Sequence, residues 1–206
     1  GLTHEYFSGV LNGLKLQAEE LGYDITFING RLENRKMSYY EHCKYRNFSG
    51  VVIVCADFRD AGVKELMEKD IPVVTIDYEH PECTAVSSNN YRGMEQLVEY
   101  VAGQGHRKIA YIHGQKNSSV TKERLAAFRN TMERLGIEIP KEYLKAAKYL
   151  EVEEVAKQTK SLLEGKNPPT CILYPDDTTV IGGRNMIREL GLRIPDDVSV
   201  AGYDGI

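Results

Sequence analysis

A chain of 206 residues can form one large α/β domain or two small lobes, and at that size about 70% of the unfolded surface can be buried without covalent or metal staples. With 42% hydrophobic and 27% charged residues, the composition is that of an ordinary globular protein, and no run approaches the roughly 18 apolar residues of a transmembrane helix. A net charge of −4 and short basic clusters (Arg35-Lys36, Arg107-Lys108) exclude a stand-alone nucleic-acid binder, because counterion release needs a continuous stripe of Lys and Arg.

In chain order, Phe7, Val10, Leu11, Leu14, Ala18 and Leu21 recur three or four apart, which predicts a helix with one apolar stripe, stopped at Gly22. Residues 23–29, YDITFIN, read as a strand. A helix over 37–45 leads to a strand over 50–56, and a helix over 61–69 to a strand over 71–78. After TAVSSN come a helix over 91–104 and a strand over 108–114. The second half repeats the alternation: helix 121–135 and strand 144–150, helix 153–164 and strand 169–175, helix 178–190 and strand 198–204. Gly136 and Gly191 follow MERL and IREL as helix stops.

The strands are continuous apolar runs, the pattern of strands covered by helices on both faces, which predicts an α/β fold with two doubly wound parallel-sheet lobes. The loop 113–119, HGQKNSS, is the expected boundary, giving lobes at residues 1–114 and 115–206. The first helix has no strand before it and no element follows Asp204, so both lobes are expected to be incomplete at the termini. Of the four cysteines, Cys43, Cys55, Cys83 and Cys171, the two inside apolar runs (Cys55 and Cys171) read as buried free thiols. The absence of disulfide spacing points to a reducing, cytoplasmic setting.

Ligands of open α/β sheets bind beyond the carboxyl ends of the strands. The residues there are Asp57, Asp77, Asn89, Asn90, the loop 115–119, Tyr149, Asp176, Asp177 and Asp204: amides, hydroxyls and carboxylates suited to sugar hydroxyls or base edges. The five histidines lack paired metal-ligand spacing, and no G-x-S-x-G elbow, G-x-G-x-x-G or Walker lysine occurs, so no metal, cofactor or catalytic set is expected. VIGGRN (180–185) lies inside a predicted helix, where its glycines permit close packing. Asp177 is expected to cap that helix, leaving Asp176 to face a cleft.

NNYRGMEQLVEYVAGQGHRKIAYIHG, KERLAAFRNTMERLGI and RELGLRIPDDVSVAGYDGI, in this order and spacing, resemble the effector-binding core of the LacI/GalR transcriptional regulators. EYFSGVLNGLKLQAEELGYD is similar to the first core helix of that family, and YPDDTTVIGGRNMI to its usual helix start. The resemblance implies a periplasmic-binding-protein-like fold of two lobes closing on a small-molecule effector. A DNA-binding headpiece precedes such a core and is absent from this chain, which begins after the family's first core strand and ends before its last ones. A homodimer, operator DNA as partner and no membrane association are also implied.

By resemblance, Tyr6 and Phe7 match the aromatic pair that packs on the ligand ring, Arg124 the arginine that grips neighbouring hydroxyls, and Asp204 the aspartate facing the effector. Asn89 stands where many members have Asp, Asp176 where sugar-binding members often have Asn, and Tyr149 or Leu150 near an aromatic of purine-binding members. A sugar is the favoured effector and a purine the alternative. The rival readings are a sugar-binding receptor of a transport or sensing system with the same fold, and an enzyme on a doubly wound sheet, for which no residue set is visible.

Overall fold

A computed structural model describes residues 5–28, 31–32 and 35–206. The chain divides into two compact units, Gly1–Ser88 and Asn89–Ile206. The first carries helix α1 (Glu5–Glu20), strands β1 (Arg31–Leu32) and β2 (Arg35–Lys36), α2 (Tyr39–Arg46), β3 (Val51–Ile53), α3 (Ala61–Glu68), β4 (Val73–Ile76) and β5 (Thr84–Val86). The second carries α4 (Asn90–Gly103), β6 (Ile109–His113), α5 (Ser119–Arg134), a 3₁₀ turn (Lys141–Tyr143), β7 (Leu144–Ala146), α6 (Val152–Leu163), β8 (Cys171–Leu173), α7 (Asp177–Glu189) and β9 (Ser199–Ala201).

In the first unit β3, β4 and β5 form a parallel sheet in that order, with Val51 opposite Val73 and Val74 opposite Thr84, while β1 and β2 pair antiparallel. A capping box starts α2: the Glu41 amide donates to Ser38 Oγ (3.2 Å) and the Ser38 amide to Glu41 Oε2 (2.9 Å). Cys43, Val63, Leu66 and Met67 of α2 and α3 pack with Ile53, Ile71 and Val73. The neighbouring Val52 points away from this core and is 42% exposed, as the two-residue period of a strand requires.

In the second unit all strands are parallel in the order β7-β6-β8-β9, with helices on both faces. Met94, Val98, Ala127, Phe128 and Met132 of α4 and α5 cover Ile109 and Tyr111. Val155, Leu162 and Ile187 of α6 and α7 cover Ala110, Ile112 and Ile172. Alternate residues of β6 thus enter opposite cores, and this unit is doubly wound as expected.

Four expectations are corrected. The division falls at Ser88/Asn89 and not in the 113–119 loop, because α4 packs on α5 and β6 is an interior strand of the second sheet, so residues 89–114 share the second unit's core. Residues 23–28 find no ladder partner among the described residues; Phe27 is 67% exposed and only Ile28 packs against the core, so a β-prone segment stays unpaired, and residue 29 of the expected strand lies outside the described residues. Strand β5 was not expected from TAVSSN; its side chains are exposed, and backbone pairing alone makes it a strand. Finally, Cys171 is buried but Cys55 is exposed, lying past the end of β3 with φ +53°.

Candidate functional site

In the second unit, the carboxyl ends of β6, β8 and β9 and the N-termini of α4, α5 and α7 bring one group of side chains together. The Thr121 amide donates to Ser118 Oγ at the start of α5 (3.4 Å), and Thr121, Arg124 and Phe128 follow along its buried face. Arg124 is only 7% exposed. Its Nε donates to Asn90 Oδ1 (2.9 Å), its Nη1 donates to the Pro175 carbonyl (3.1 Å), and its guanidinium carbon lies 3.5 Å from the centroid of the Tyr203 ring. A desolvated cation is thus held by two neutral acceptors and one aromatic face, with no ion pair to Arg124 among the described residues.

Tyr149 follows β7, and its hydroxyl lies 2.8 Å from Thr121 Oγ1. Burial pushes the Tyr149 hydroxyl above its ordinary pKa, opposed by that hydrogen bond and by the Arg124 charge. The ring rests on Gly114, where an added Cβ would stand 2.2 Å from Tyr149 Cε2, so the glycine that follows β6 is what admits the tyrosine. Tyr203 is seated in a similar way: a Cβ at Gly93 would stand 2.0 Å from its hydroxyl. Asp204, with φ +109°, lies beside Tyr203 on a shallow groove shared with Gly93 and Leu97.

Of the two aspartates that open α7, it is Asp176 and not Asp177 that caps the helix. Asp176 is the N-cap and is 2% exposed: the Thr179 amide donates to its Oδ1 (2.8 Å) and the Leu150 amide to its Oδ2 (3.1 Å). Both carboxylate oxygens accept from backbone donors, so Asp176 ties the start of α7 to Leu150. Asp177 ties down the last residues instead, its amide donating to the Tyr203 carbonyl (2.9 Å) and its Oδ2 accepting from the Ile206 amide (2.8 Å). Asn89 caps α4 by accepting from the Arg92 amide (2.9 Å), and it is Asn90, one residue on, that is buried against Arg124.

In the first unit, Tyr6 stands in the first turn of α1 and donates its hydroxyl to Asp77 Oδ2 (2.9 Å), just past β4. Asp77 has φ +60° and the neighbouring strand end places Cys55 at φ +53°; such left-handed non-glycine residues concentrate at functional sites. Phe7 is buried, so in this conformation it is a packing residue and Tyr6 alone of the pair offers a face. Asp57 is held by Arg59, whose guanidinium keeps the carboxyl below the usual range.

The structure therefore gathers Arg124, Tyr149 and Asp204 at one strand-end cluster of the second unit, with Asn89 capping α4, and Tyr6 with Asp77 at the strand ends of the first. Sequence reasoning placed Asn90 among the strand-end residues without pairing it to Arg124, and it missed Thr121 and Tyr203 as parts of the cluster. Spacing could have found Thr121, one turn before Arg124; nothing in the sequence points the Tyr203 ring at a guanidinium. Among the described residues no group of three or more His, Cys, Asp or Glu side chains is placed to hold a metal ion, and no helix is long and apolar enough to cross a membrane.

His113 ends β6 beside this cluster, buried, with Nδ1 2.8 Å from the Gly114 carbonyl; a carbonyl only accepts, so Nδ1 carries the proton. Burial holds the imidazole below its ordinary 6.5, opposed by that hydrogen bond, while Lys116 and Arg129 act in the same direction as burial. The unfolded chain then binds more protons than the folded one below about pH 6.5, so His113 contributes stability that is full above that pH and is lost as pH falls through the folded-state value. Urea titrations from pH 7.5 to 5 should show a smaller acid-side loss for His113→Gln than for the parent; equal slopes would remove His113 as the cause.

Residues 98–206 match the family described as the periplasmic binding protein-like domain. The chain is 26% identical over 209 residues to the HTH-type transcriptional repressor PurR of Vibrio vulnificus, covering 99% of this chain and 62% of the relative. It is 29% identical to the HTH-type transcriptional repressor ExuR of Bacillus subtilis, covering 100% and 61%. The chain thus spans about three fifths of the length of these relatives. Among solved structures, a LacI transcriptional regulator from Bacillus cereus subsp. cytotoxis superposes with TM-score 0.87 at 25% identity over 100% of this chain and 74% of that one. A LacI-family regulatory protein from Chloroflexus aggregans superposes with TM-score 0.83 at 26% identity over 95% and 71%. With its doubly wound second unit and its polar cluster at the strand ends, the chain belongs to the periplasmic binding protein-like domain family.

Proposed function

We propose that this chain is the effector-binding core of a LacI-type transcriptional regulator and that the effector is a small polar molecule, a sugar in the first place and a purine in the second. The observation that carries the reading is Arg124: a buried guanidinium, oriented by Asn90 and Pro175 and backed by Tyr203, at the carboxyl ends of the strands where such folds take ligands. Its planar fork suits two neighbouring hydroxyls or a carbonyl and a ring nitrogen. Asp204 and Tyr149 would add contacts from the same unit. The effector would be bound and released unchanged.

Operator DNA would be read by a part of the protein outside these residues, consistent with their net charge of −4, and the protein would act in the cytoplasm as a homodimer. The effector could alter operator affinity only by its differential affinity for two conformations, typically about 1–3 kcal/mol of coupling. The test is thermal unfolding of the full chain with D-ribose, D-glucose, D-glucuronate and hypoxanthine. A probe at about 100 times its dissociation constant adds about 2.7 kcal/mol of stability. At least one probe should raise the midpoint of the parent; no shift with any of the four sinks the reading.

A further inference from the structure

The Tyr111 hydroxyl is the one buried side-chain polar atom among the described residues without a hydrogen-bond partner. Tyr111 lies in β6, fully buried, on the face covered by α4 and α5, with its ring 5.3 Å from that of Phe128 and 5.9 Å from that of His113. A phenylalanine would fill the same apolar surroundings without leaving a donor unpaired, and an unpaired buried hydroxyl is a net cost to the fold. Its surroundings are those of the site. The groups that act on its charge, after burial itself, are Tyr149, Arg124 and Tyr203, each already engaged elsewhere: Tyr149 with Thr121, Arg124 with Asn90, Pro175 and the Tyr203 ring.

We propose that Tyr111 is a specificity-determining residue whose hydroxyl, at the floor of the Arg124–Tyr149–Tyr203 cluster, is completed by a polar atom of the bound effector. The proposal rests on the effector-binding reading of this cluster. Two of the groups that act on the phenol stand on loops, the parts of a fold that rearrange at least cost: Tyr149 stands between β7 and α6, and Tyr203 follows β9. A ligand that grips Arg124 and shifts either ring brings a hydroxyl, carbonyl oxygen or ring nitrogen within reach of the phenol. A site built to satisfy a buried donor discriminates strongly against a ligand that lacks the matching atom, because the donor is then left unpaired.

The experiment compares the parent full chain with Tyr111→Phe, reading the unliganded unfolding midpoint and the dissociation constant for whichever of D-ribose, D-glucose, D-glucuronate and hypoxanthine binds the parent. The expected result is an unliganded midpoint equal to or above the parent's with affinity weakened about tenfold. In the parent labelled with ¹³C at tyrosine Cζ, the resonance that Tyr111→Phe removes should move when the probe is added. Equal affinities overturn the proposal while leaving the effector-binding reading standing. A lowered midpoint with equal affinity also overturns it, assigning the hydroxyl to a structural bond such as one to water. Failure of all four probes to bind the parent sinks the reading and the proposal together.

Discussion

Arg124→Ala is expected to lower the stability of the folded chain by about 3 kcal/mol and to remove its response to any effector. A hydrogen bond to a charged group contributes about 1.5–3 kcal/mol, and a guanidinium on an aromatic face about 0.5–2 kcal/mol. The truncation leaves Asn90 Oδ1 and the Pro175 carbonyl without their donor and Tyr203 without the plane it stacks on. Arg124→Lys should restore little, since a point charge cannot serve both acceptors and lie flat on the ring. Urea unfolding with and without the binding probe measures both effects. Stability within 1 kcal/mol of the parent's would show that the guanidinium is not integral to the fold, and an intact ligand response would remove it from the site.

Gly182→Ala should destabilise by about 2 kcal/mol, although alanine is the better helix former. A Cβ at Gly182 would stand 2.2 Å from the Val152 carbonyl oxygen, a backbone atom at the start of α6 that no rotamer change can move away. Overpacking of this kind costs roughly 1–3 kcal/mol, against about 1 kcal/mol gained in helix propensity. The adjacent Gly183 meets a side chain instead: its Cβ would stand 2.2 Å from the Tyr174 hydroxyl, itself buried and 3.1 Å from Thr159 Oγ1. Burial pushes that phenol up to about 12. Gly13, with nothing within 4 Å of its Cβ, is the control, and Gly13→Ala should leave stability equal or raised. If Gly182→Ala matches Gly13→Ala in urea unfolding, the contact between α6 and α7 is looser than described.

Much of this was written in the sequence. The apolar runs of β6 and β8, the helix stripes of α4 to α7 and the stops at Gly136 and Gly191 (φ +65° and +72°) are local patterns, and each became the element expected. The close-packing role of the glycines in VIGGRN was legible for the same reason. The resemblance to the LacI/GalR core singled out Arg124, and the structure makes it the centre of a cluster.

What the sequence alone could not settle depended on partners distant along the chain. Whether residues 23–28 became a strand turned on a neighbouring edge to pair with, and none is present among the described residues, whereas β5, all three of its residues exposed, gained strand geometry from its ladder with β4. Asp176 and Asp177 are adjacent and chemically identical; the Leu150 amide, 26 positions away in sequence, decided which carboxylate was buried. The place of the division was likewise a matter of which core α4 entered. Periodicity and residue type determined the elements and the kind of site, because both act over a turn or two of chain; the boundary, the cap and the unpaired Tyr111 hydroxyl were decided only in the tertiary structure, where burial is shared among segments far apart in sequence.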